Sequence, residues 1–467
     1  MNRITTLIII LLLPCVSVAG QPRATLTLHE VLTSAQRAFP SLLIAQQRQR
    51  ASEGEYKTAE GGFDTLLKVQ NRYSVIGLYE NQNNDISIEQ PTALGGTTFF
   101  GGWRRGAGDY PVYDGKSLTA QDGEMRMGVN IPLWRNRDID RRRASLKQAD
   151  LGLDIADYDV EQALVEINRL ATHRYWDWVL AGQRLQITEH LLNIAEQRND
   201  GIRQRVAAGD IPEFEALDNQ RAIIERQERK VAAQRLLEQT AIQLSLYWRD
   251  ANGEPQLPDS QQLPAAFPPH EQSNTLDYHK ALDIARAQRP DLQRLDLQIQ
   301  QSQTELELQE NQRAPAVDLS VTGSQDMGAG VGKEKLNRHE LYLGLNVDIP
   351  LQRRVATGRS EVAAANLQRL KLEQNLLDNR IAADIKDVLS ALSAAQKRLD
   401  LTRSQQKATE QLEEGERTRF ELGETTLLFV NLREIANGDA ALLKAEATSN
   451  LLKGLADYQA ALGKSTH

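Results

Sequence analysis

The chain carries its own plan twice, and the repeated unit combines two kinds of element that seldom occur together. Residues 28–42 read LHEVLTSAQRAFPSL and residues 278–292 read YHKALDIARAQRPDL, so His29, Leu32, Ala35, Pro40 and Leu42 fall on His279, Leu282, Ala285, Pro290 and Leu292 at one constant offset. MRMGVNIPL at 125–133 recurs as LYLGLNVDIPL at 341–351, and RQRVAAGD at 203–210 recurs as RTRFELGE at 417–424. Each copy predicts helix, strands, long helix, tight turn, helix. A unit of this size exceeds ordinary solenoid repeats. Length alone suggests two or three domains, whereas the duplication predicts one architecture in two halves, 20–248 and 275–463, joined by 249–274.

Helical periodicity is strongest at two seams. Ala149, Leu153, Ala156, Val160, Ala163, Ile167 and Leu170 alternate four- and three-residue spacings, and Ile381, Ile385, Val388, Leu392, Ala395 and Leu399 do the same in the second copy. That is the heptad pattern of helices packed along their length. No proline interrupts 134–211, nor anything after 351. Continuous helices are therefore predicted over 137–207 and 355–421, each about 100 Å long at 1.5 Å per residue. The flanking stretches 26–59, 211–248, 275–312 and 425–463 make helices of about 50–60 Å, so two laid end to end match one long helix. The arrangement expected is 211–248 stacked with 275–312, and 425–463 stacked back onto 26–59. The proline-rich connection 249–274 then sits halfway along the rod as an equatorial patch, with a plain disordered linker as the alternative.

Strand periodicity is weaker but clear. Leu341, Leu343, Leu345, Val347 and Ile349 alternate with Tyr342, Gly344, Asn346 and Asp348, while Met125, Met127, Val129 and Ile131 alternate with Arg126, Gly128 and Asn130. Val317, Leu319 and Val321 begin a partner strand. Strands of about ten residues with one apolar side are the signature of an outer-membrane barrel; a half-buried soluble sheet shows the same alternation. The strand region of the first copy (64–133) is much longer than that of the second (316–351). Its excess, around ISIEQPTALGGTTFFGGWRRGAGDYPVYDGK, holds Phe99, Phe100 and Trp103 as an interfacial aromatic belt or forms a folded external or equatorial loop.

The N-terminus favours the membrane reading. Arg3, the apolar run Leu7–Leu13 and Ser17-Val18-Ala19 form a secretory signal peptide over 1–19. Cys15, the only cysteine, is then removed with it, or lipidated if the signal is of the lipoprotein kind. The net charge of −8 argues against a nucleic-acid partner, because phosphate binding needs a basic stripe. Ala, Leu, Gln, Glu and Arg dominate the helical stretches, as in long coiled-coil helices rather than a compact enzyme core.

Taken together, the repeat, the V-x-I-P-L elements at Val129–Leu133 and Val347–Leu351, the R-x-R…G turns and the run RYWDWVLAG at 174–182 resemble the TolC-like outer-membrane efflux protein family, the outer-membrane factors. No single motif is specific; the ordered set, present twice, is. The resemblance covers the chain from Leu26 to about Leu462. It implies a mainly helical fold with a β membrane part. Three chains would give four strands each to one 12-stranded outer-membrane β-barrel, continued by a long periplasmic coiled-coil tunnel. It implies a homotrimer in outer-membrane lipid, docked on a periplasmic adaptor (a membrane fusion protein) and an inner-membrane RND or ABC-type pump. The function implied is the exit duct of a tripartite efflux or type I secretion system, passing small molecules or polypeptides. The competing reading is a periplasmic coiled-coil scaffold or adaptor that never enters the membrane.

Nothing in the residues points to catalysis, to a cofactor or to a metal. The seven histidines show no His-x-x-x-His spacing, there is no Walker-type loop and no Gly-x-Ser-x-Gly, and GAGVG at 328–332 is a lone glycine-rich loop. The two repeated turns are the candidate sites. Gly209 and Gly423 supply left-handed C′ residues, Arg203, Arg205, Arg417 and Arg419 offset the dipoles of the helices they end, and Asp210 caps the next helix, with Glu424 in the matching place. The resemblance makes these turns the adaptor-docking tip. Family members often carry acids after the second-copy turn as a constricting ring; here Phe429 and Leu432 stand there, and the matching first-copy positions are Glu215 and Asp218. The constriction is therefore expected from those four, unless the acids pair with arginines such as Arg221.

Overall fold

The computed structural model describes residues 24–110, 117–269, 277–329 and 339–464. The expected signal peptide at 1–19 and Cys15 lie outside the described residues, as does most of the GAGVG stretch. Thr27 opens the first helix with a capping box: its hydroxyl accepts from the Glu30 backbone N–H at 3.3 Å, and its own N–H donates to the Glu30 carboxylate at 2.8 Å. The single helix expected over 26–59 is two helices, α1 (Leu28–Ala38) and α2 (Pro40–Glu60), and its second-copy counterpart splits likewise into 278–288 and 290–311. The reason is proline. Pro40 and Pro290 lack an N–H and push the preceding residue out of the helical region, so Phe39 and Arg289 are extended at ψ 128° and 120°.

Among the described residues, six strands follow one another in a single antiparallel meander: β1 (Leu66–Ser74), β2 (Asn81–Pro91), β3 (Thr98–Gly108), β4 (Glu124–Pro132), β5 (Ala316–Asp326) and β6 (His339–Asp348). The four strands per chain that the resemblance implied are thus exceeded by a hairpin, β2–β3, formed by the excess segment of the first copy. Pairing rows such as Val69–Ile86–Trp103–Met125 and Phe99–Val129–Val321–Leu343 keep one set of side chains on one face. That face carries the exposed Leu67, Ile86, Ile88, Phe99, Met127, Leu341, Leu343 and Leu345. The opposite face is polar, with ion pairs Lys68–Glu89, Arg104–Glu124 and Arg126–Asp85. Phe99 and Phe100 cannot share a belt, since neighbours on a strand point to opposite faces. Phe100 lies over Gly128 on the polar face, where a Cβ on Gly128 would come within 2.5 Å of its ring.

The remaining helices are α3 (Arg141–Ala207), α4 (Glu213–Ser245), α5 (Tyr278–Gln288), α6 (Pro290–Asn311), α7 (Arg354–Glu421) and α8 (Leu427–Ala461). Along α7 the seam residues Ile381, Ile385, Leu392 and Leu399 are buried against α5, the start of α6 and α8. The end-to-end stacking is the reverse of the arrangement expected from lengths. Helix α4 meets α1 and α2: Tyr247 stacks on Phe39 at 4.8 Å, and the Ser34 hydroxyl donates to the Arg249 carbonyl at 2.8 Å. Helix α8 meets α5 and α6, where Ala461 and Leu462 pack on Ala281, Leu282 and Ala285. Each repeat therefore stacks on itself. Chain length is the same for either pairing; the apolar ends decide.

The main core sits at this junction. Tyr175, Trp176, Trp178 and Val179 from the RYWDWVLAG run are buried with Leu32, Leu42 and Leu244. Burial pushes the Tyr175 hydroxyl up to about 12, and it donates to the Leu26 carbonyl at 2.9 Å. The connecting segment after Tyr247 packs here as well. Phe267 meets Trp176, and Leu263 seats on Gly182, where a Cβ would lie 2.6 Å from its methyl groups.

Candidate functional site

The end of the rod farthest from the sheet is built from two helix–turn–helix hairpins, α3–α4 and α7–α8. Each turn closes as a Schellman motif. The Gly209 N–H donates to Val206 O at 3.0 Å and Asp210 N–H to Arg205 O at 2.9 Å; the Gly423 N–H donates to Phe420 O at 3.1 Å and Glu424 N–H to Arg419 O at 2.9 Å. Both glycines take positive φ, +81° and +77°, with nothing within 4 Å of where a Cβ would be. The motif satisfies the last carbonyls of the long helices, and glycine alone adopts it without cost. Asp210 does not cap α4. The N-cap is Pro212, without a side-chain hydrogen bond, because the Schellman turn consumes Asp210 at C″.

The two turns lean on each other. Ile202 of α3 packs on Leu427 and Val430 of α8, with Phe420 and Ile211 at the margin. The Arg205 guanidinium lies over the Phe420 ring, 5.7 Å from its centroid. Arg203 points to solvent, Arg417 pairs with Glu413 at 2.6 Å, and Arg419 lies 3.6 Å from Glu416 and 3.8 Å from Glu424. The tip thus shows solvent a mixed, arginine-bearing surface on a small apolar core.

Beyond the turns, the four constriction candidates separate. Phe429 and Leu432 are each 52% exposed on one face of α8, opposite the buried Leu427 and Val430. Asp218 is committed within the chain: Arg221 lies at 3.0 Å and Asn431 donates to it at 3.2 Å. Glu215 is half-buried, one turn earlier on α4. Of the two acids, Asp218 is thus engaged within the chain, while Phe429 and Leu432 stand exposed.

A polar cluster that the sequence reading did not single out joins the hairpins here. The Glu434 carboxylate, fully buried on α8, receives Arg198 of α3 at 2.8 Å and Arg226 of α4 at 2.7 Å. Arg226 also donates to the Leu191 carbonyl at 2.6 Å, and Arg198 to Asn431 at 2.8 Å. Three helices are thereby tied through one carboxylate. The readable signal was the spacing: Leu427, Asn431, Glu434 and Gly438 form a four-three-four seam with polar residues in apolar places, a device that sets register at some cost in stability.

Among the described residues, no group of three or more His, Cys, Asp or Glu could hold a metal ion. No family model and no curated protein sequence matches this chain. Solved structures do. The fold is similar to that of the MtrE outer membrane channel of Neisseria gonorrhoeae (TM-score 0.66, 16% identity, 94% of this chain and 89% of that one). It is similar to the CmeC outer membrane channel of Campylobacter jejuni (TM-score 0.64, 12% identity, 97% and 92%) and to the outer membrane protein VceC of Vibrio cholerae (TM-score 0.63, 16% identity, 94% and 97%). The chain shares the fold of TolC-like outer-membrane factors over nearly its whole described length.

Proposed function

We propose that this protein is the outer-membrane exit duct of a tripartite export system. It assembles as a homotrimer and does no chemistry of its own. The observation that carries the reading is the continuity of two surfaces in one chain: a sheet with an exposed apolar face on one side and an ion-paired polar face on the other, leading directly into helices about 100 Å long. In water such an apolar face is a liability; in a bilayer it is the wall, and the polar face lines an aqueous lumen. The helices then cross the periplasm, and the hairpin turns at Gly209 and Gly423 form the tip that meets a periplasmic adaptor on an inner-membrane RND or ABC-type pump. The residues Arg203, Arg205, Asp210, Arg417, Arg419 and Glu424 offer the adaptor its polar contacts. Phe429 and Leu432 narrow the tunnel just inside the tip. Cargo passes by diffusion, as small molecules or as polypeptide.

Fractionation tests this against a periplasmic scaffold. The duct is recovered in outer membranes as a heat-resistant trimer and cross-links through the tip to an inner-membrane-anchored partner. Recovery in the soluble periplasm would reject it.

A further inference from the structure

The β2–β3 hairpin is not an appendage of the sheet but part of its wall. The six strands are 9, 11, 11, 9, 11 and 10 residues long, all within the 9–11 residues that cross a hydrocarbon core when tilted. The hairpin is paired on both sides, β2 with β1 over residues 81–89 and β3 with β4 over residues 98–104. Over Ile86–Ile88 and at Phe99 its face assignments continue those of its neighbours, while Gln82, Asn84 and Arg105 stand on the same face nearer the outer end. Ile86 and Ile88 stand in the apolar rows with Val69 and Leu67, and Phe99 stands with Val129. On the polar face, Asp85 of β2 receives Arg126 of β4 across β3. That reach passes over Gly102, which lies between Ser87 and Arg126 in the pairing and has no side chain to block it. The turn 92–97 returns to the helical end, where a Cβ on Gly96 would come within 2.5 Å of the Asn136 carbonyl and 3.2 Å of Asp140.

The sheet order runs from β1 to β6 with those two strands at its edges. An open edge does not survive in lipid, so β6 of one copy must pair with β1 of the next. Resting on the trimeric duct proposed above, we infer that three copies close an eighteen-stranded barrel, not a twelve-stranded one, with β2–β3 as membrane wall in every copy. The partner surface is a second copy of this chain, presented along β1 and β6. With strands 4.8 Å apart and tilted by about 40°, twelve strands close at a backbone diameter of about 24 Å and eighteen at about 36 Å. Four helices per chain, α2, α3, α6 and α7, run beneath the sheet; twelve helices at about 9 Å spacing form a ring of about 35 Å. The wider barrel therefore continues the helical tunnel at nearly constant bore, where a twelve-stranded one would pinch it. The structure also places the segment 117–120 on the polar face near the far end of β3: the Thr119 N–H donates to Gly106 O at 3.2 Å, and a Cβ on Gly106 would fall on Ser117. The added width is thus partly occupied at the outer mouth.

The test uses the whole protein in phosphatidylethanolamine–phosphatidylglycerol vesicles, with nitroxides on single cysteines. Spin labels at Ile86→Cys and Ile88→Cys should collide with oxygen far more than with a water-soluble nickel chelate, as a label at Leu343→Cys does, while Ser87→Cys should show the reverse. Native mass of the detergent-extracted assembly should show three copies. If Ile86→Cys and Ile88→Cys meet the nickel chelate while Leu343→Cys stays in lipid, the hairpin is outside the wall and this inference falls, with the duct intact. If Leu343→Cys itself meets the nickel chelate, the duct reading fails and takes the inference with it. Two copies in the assembly would overturn the eighteen-strand count alone.

Discussion

Removing the Glu434 carboxylate should loosen the tip more than any change at its exposed arginines. Glu434 is fully buried and holds two guanidiniums from different helices, and the Arg226 side chain is itself only 5% exposed. Breaking a buried ion pair from one side costs about 3–5 kcal/mol, because the abandoned charge stays buried. Two features here pull toward the lower end. Arg226 keeps the Leu191 carbonyl at 2.6 Å, and Arg198, with 16% of its side chain exposed, can swing to water. For Glu434→Ala we expect about 3 kcal/mol, roughly a hundredfold in the local opening equilibrium at 1.4 kcal/mol per decade. Hydrogen exchange on the full-length protein in detergent reads this directly, as faster exchange in 191–226 and 427–438 with the α1–α3 core unchanged. Glu434→Gln, which keeps the shape and one acceptor, should lose about 1–3 kcal/mol. Glu434→Leu combined with Arg226→Met should recover most of the loss, since an apolar replacement of the pair is often neutral. Exchange of Glu434→Ala within threefold of the parent would show that the cluster does not hold the hairpins together, and failure of the double variant to recover would assign the loss to packing instead of charge.

Gly209→Val or Gly423→Val forces a β-branched residue to positive φ at a strain of about 1–3 kcal/mol, and, with open space around the Cβ, should weaken adaptor pull-down without lowering trimer yield; unchanged pull-down and export would refute the docking role. Phe429→Ala with Leu432→Ala should raise single-channel conductance, whereas Asp218→Asn should leave cation selectivity unaltered because Asp218 is already paired with Arg221; the opposite pattern would move the constriction to the acids. Asp457 joins α8 to α3 through His173 at 2.9 Å and Arg169 at 3.3 Å, and although burial pushes its carboxyl up, those two partners hold it below the ordinary carboxylate value. Its contribution is therefore present above about pH 3.9 and lost as pH falls through the lower folded value, so acid unfolding of the parent should begin at higher pH than its intrinsic helices require, and Asp457→Asn should flatten the stability profile in that window; identical acid profiles would remove Asp457 from the account.

Much of the architecture was legible because it rests on local period. The seam Ile381, Ile385, Leu392, Leu399 needs only regular spacing to define a helix face, and all four are buried. Leu341 to Val347 needs only alternation, and its apolar members are exposed on one face of β6. The hairpin β2–β3 escaped the same reasoning. In β2 only Ile86 and Ile88 are apolar among asparagines and acids, and β3 carries Gly101, Gly102, Gly106 and Gly108, so period two is diluted to the point of reading as a loop. Those glycines serve neighbours on the sheet, which a linear pattern does not show. Glu434 escaped because a charged residue in a seam and one on a solvated face look alike until the helices bearing Arg198 and Arg226 are in place.

By itself the sequence determined the kinds of element and their order: long proline-free helices, alternating strands, and left-handed glycines at the two turns. All of these follow from dihedral preference and side-chain period within a few residues of chain. Tertiary structure decided the rest. It chose that α4 stacks on α1 and α8 on α5, that the described strands number six, that Asp218 is spent on Arg221 and Asn431, and that one buried carboxylate ties three helices. The physical reason is the same in each case: period says which face a residue occupies, but the energy of that face is set by whatever group the fold brings opposite it.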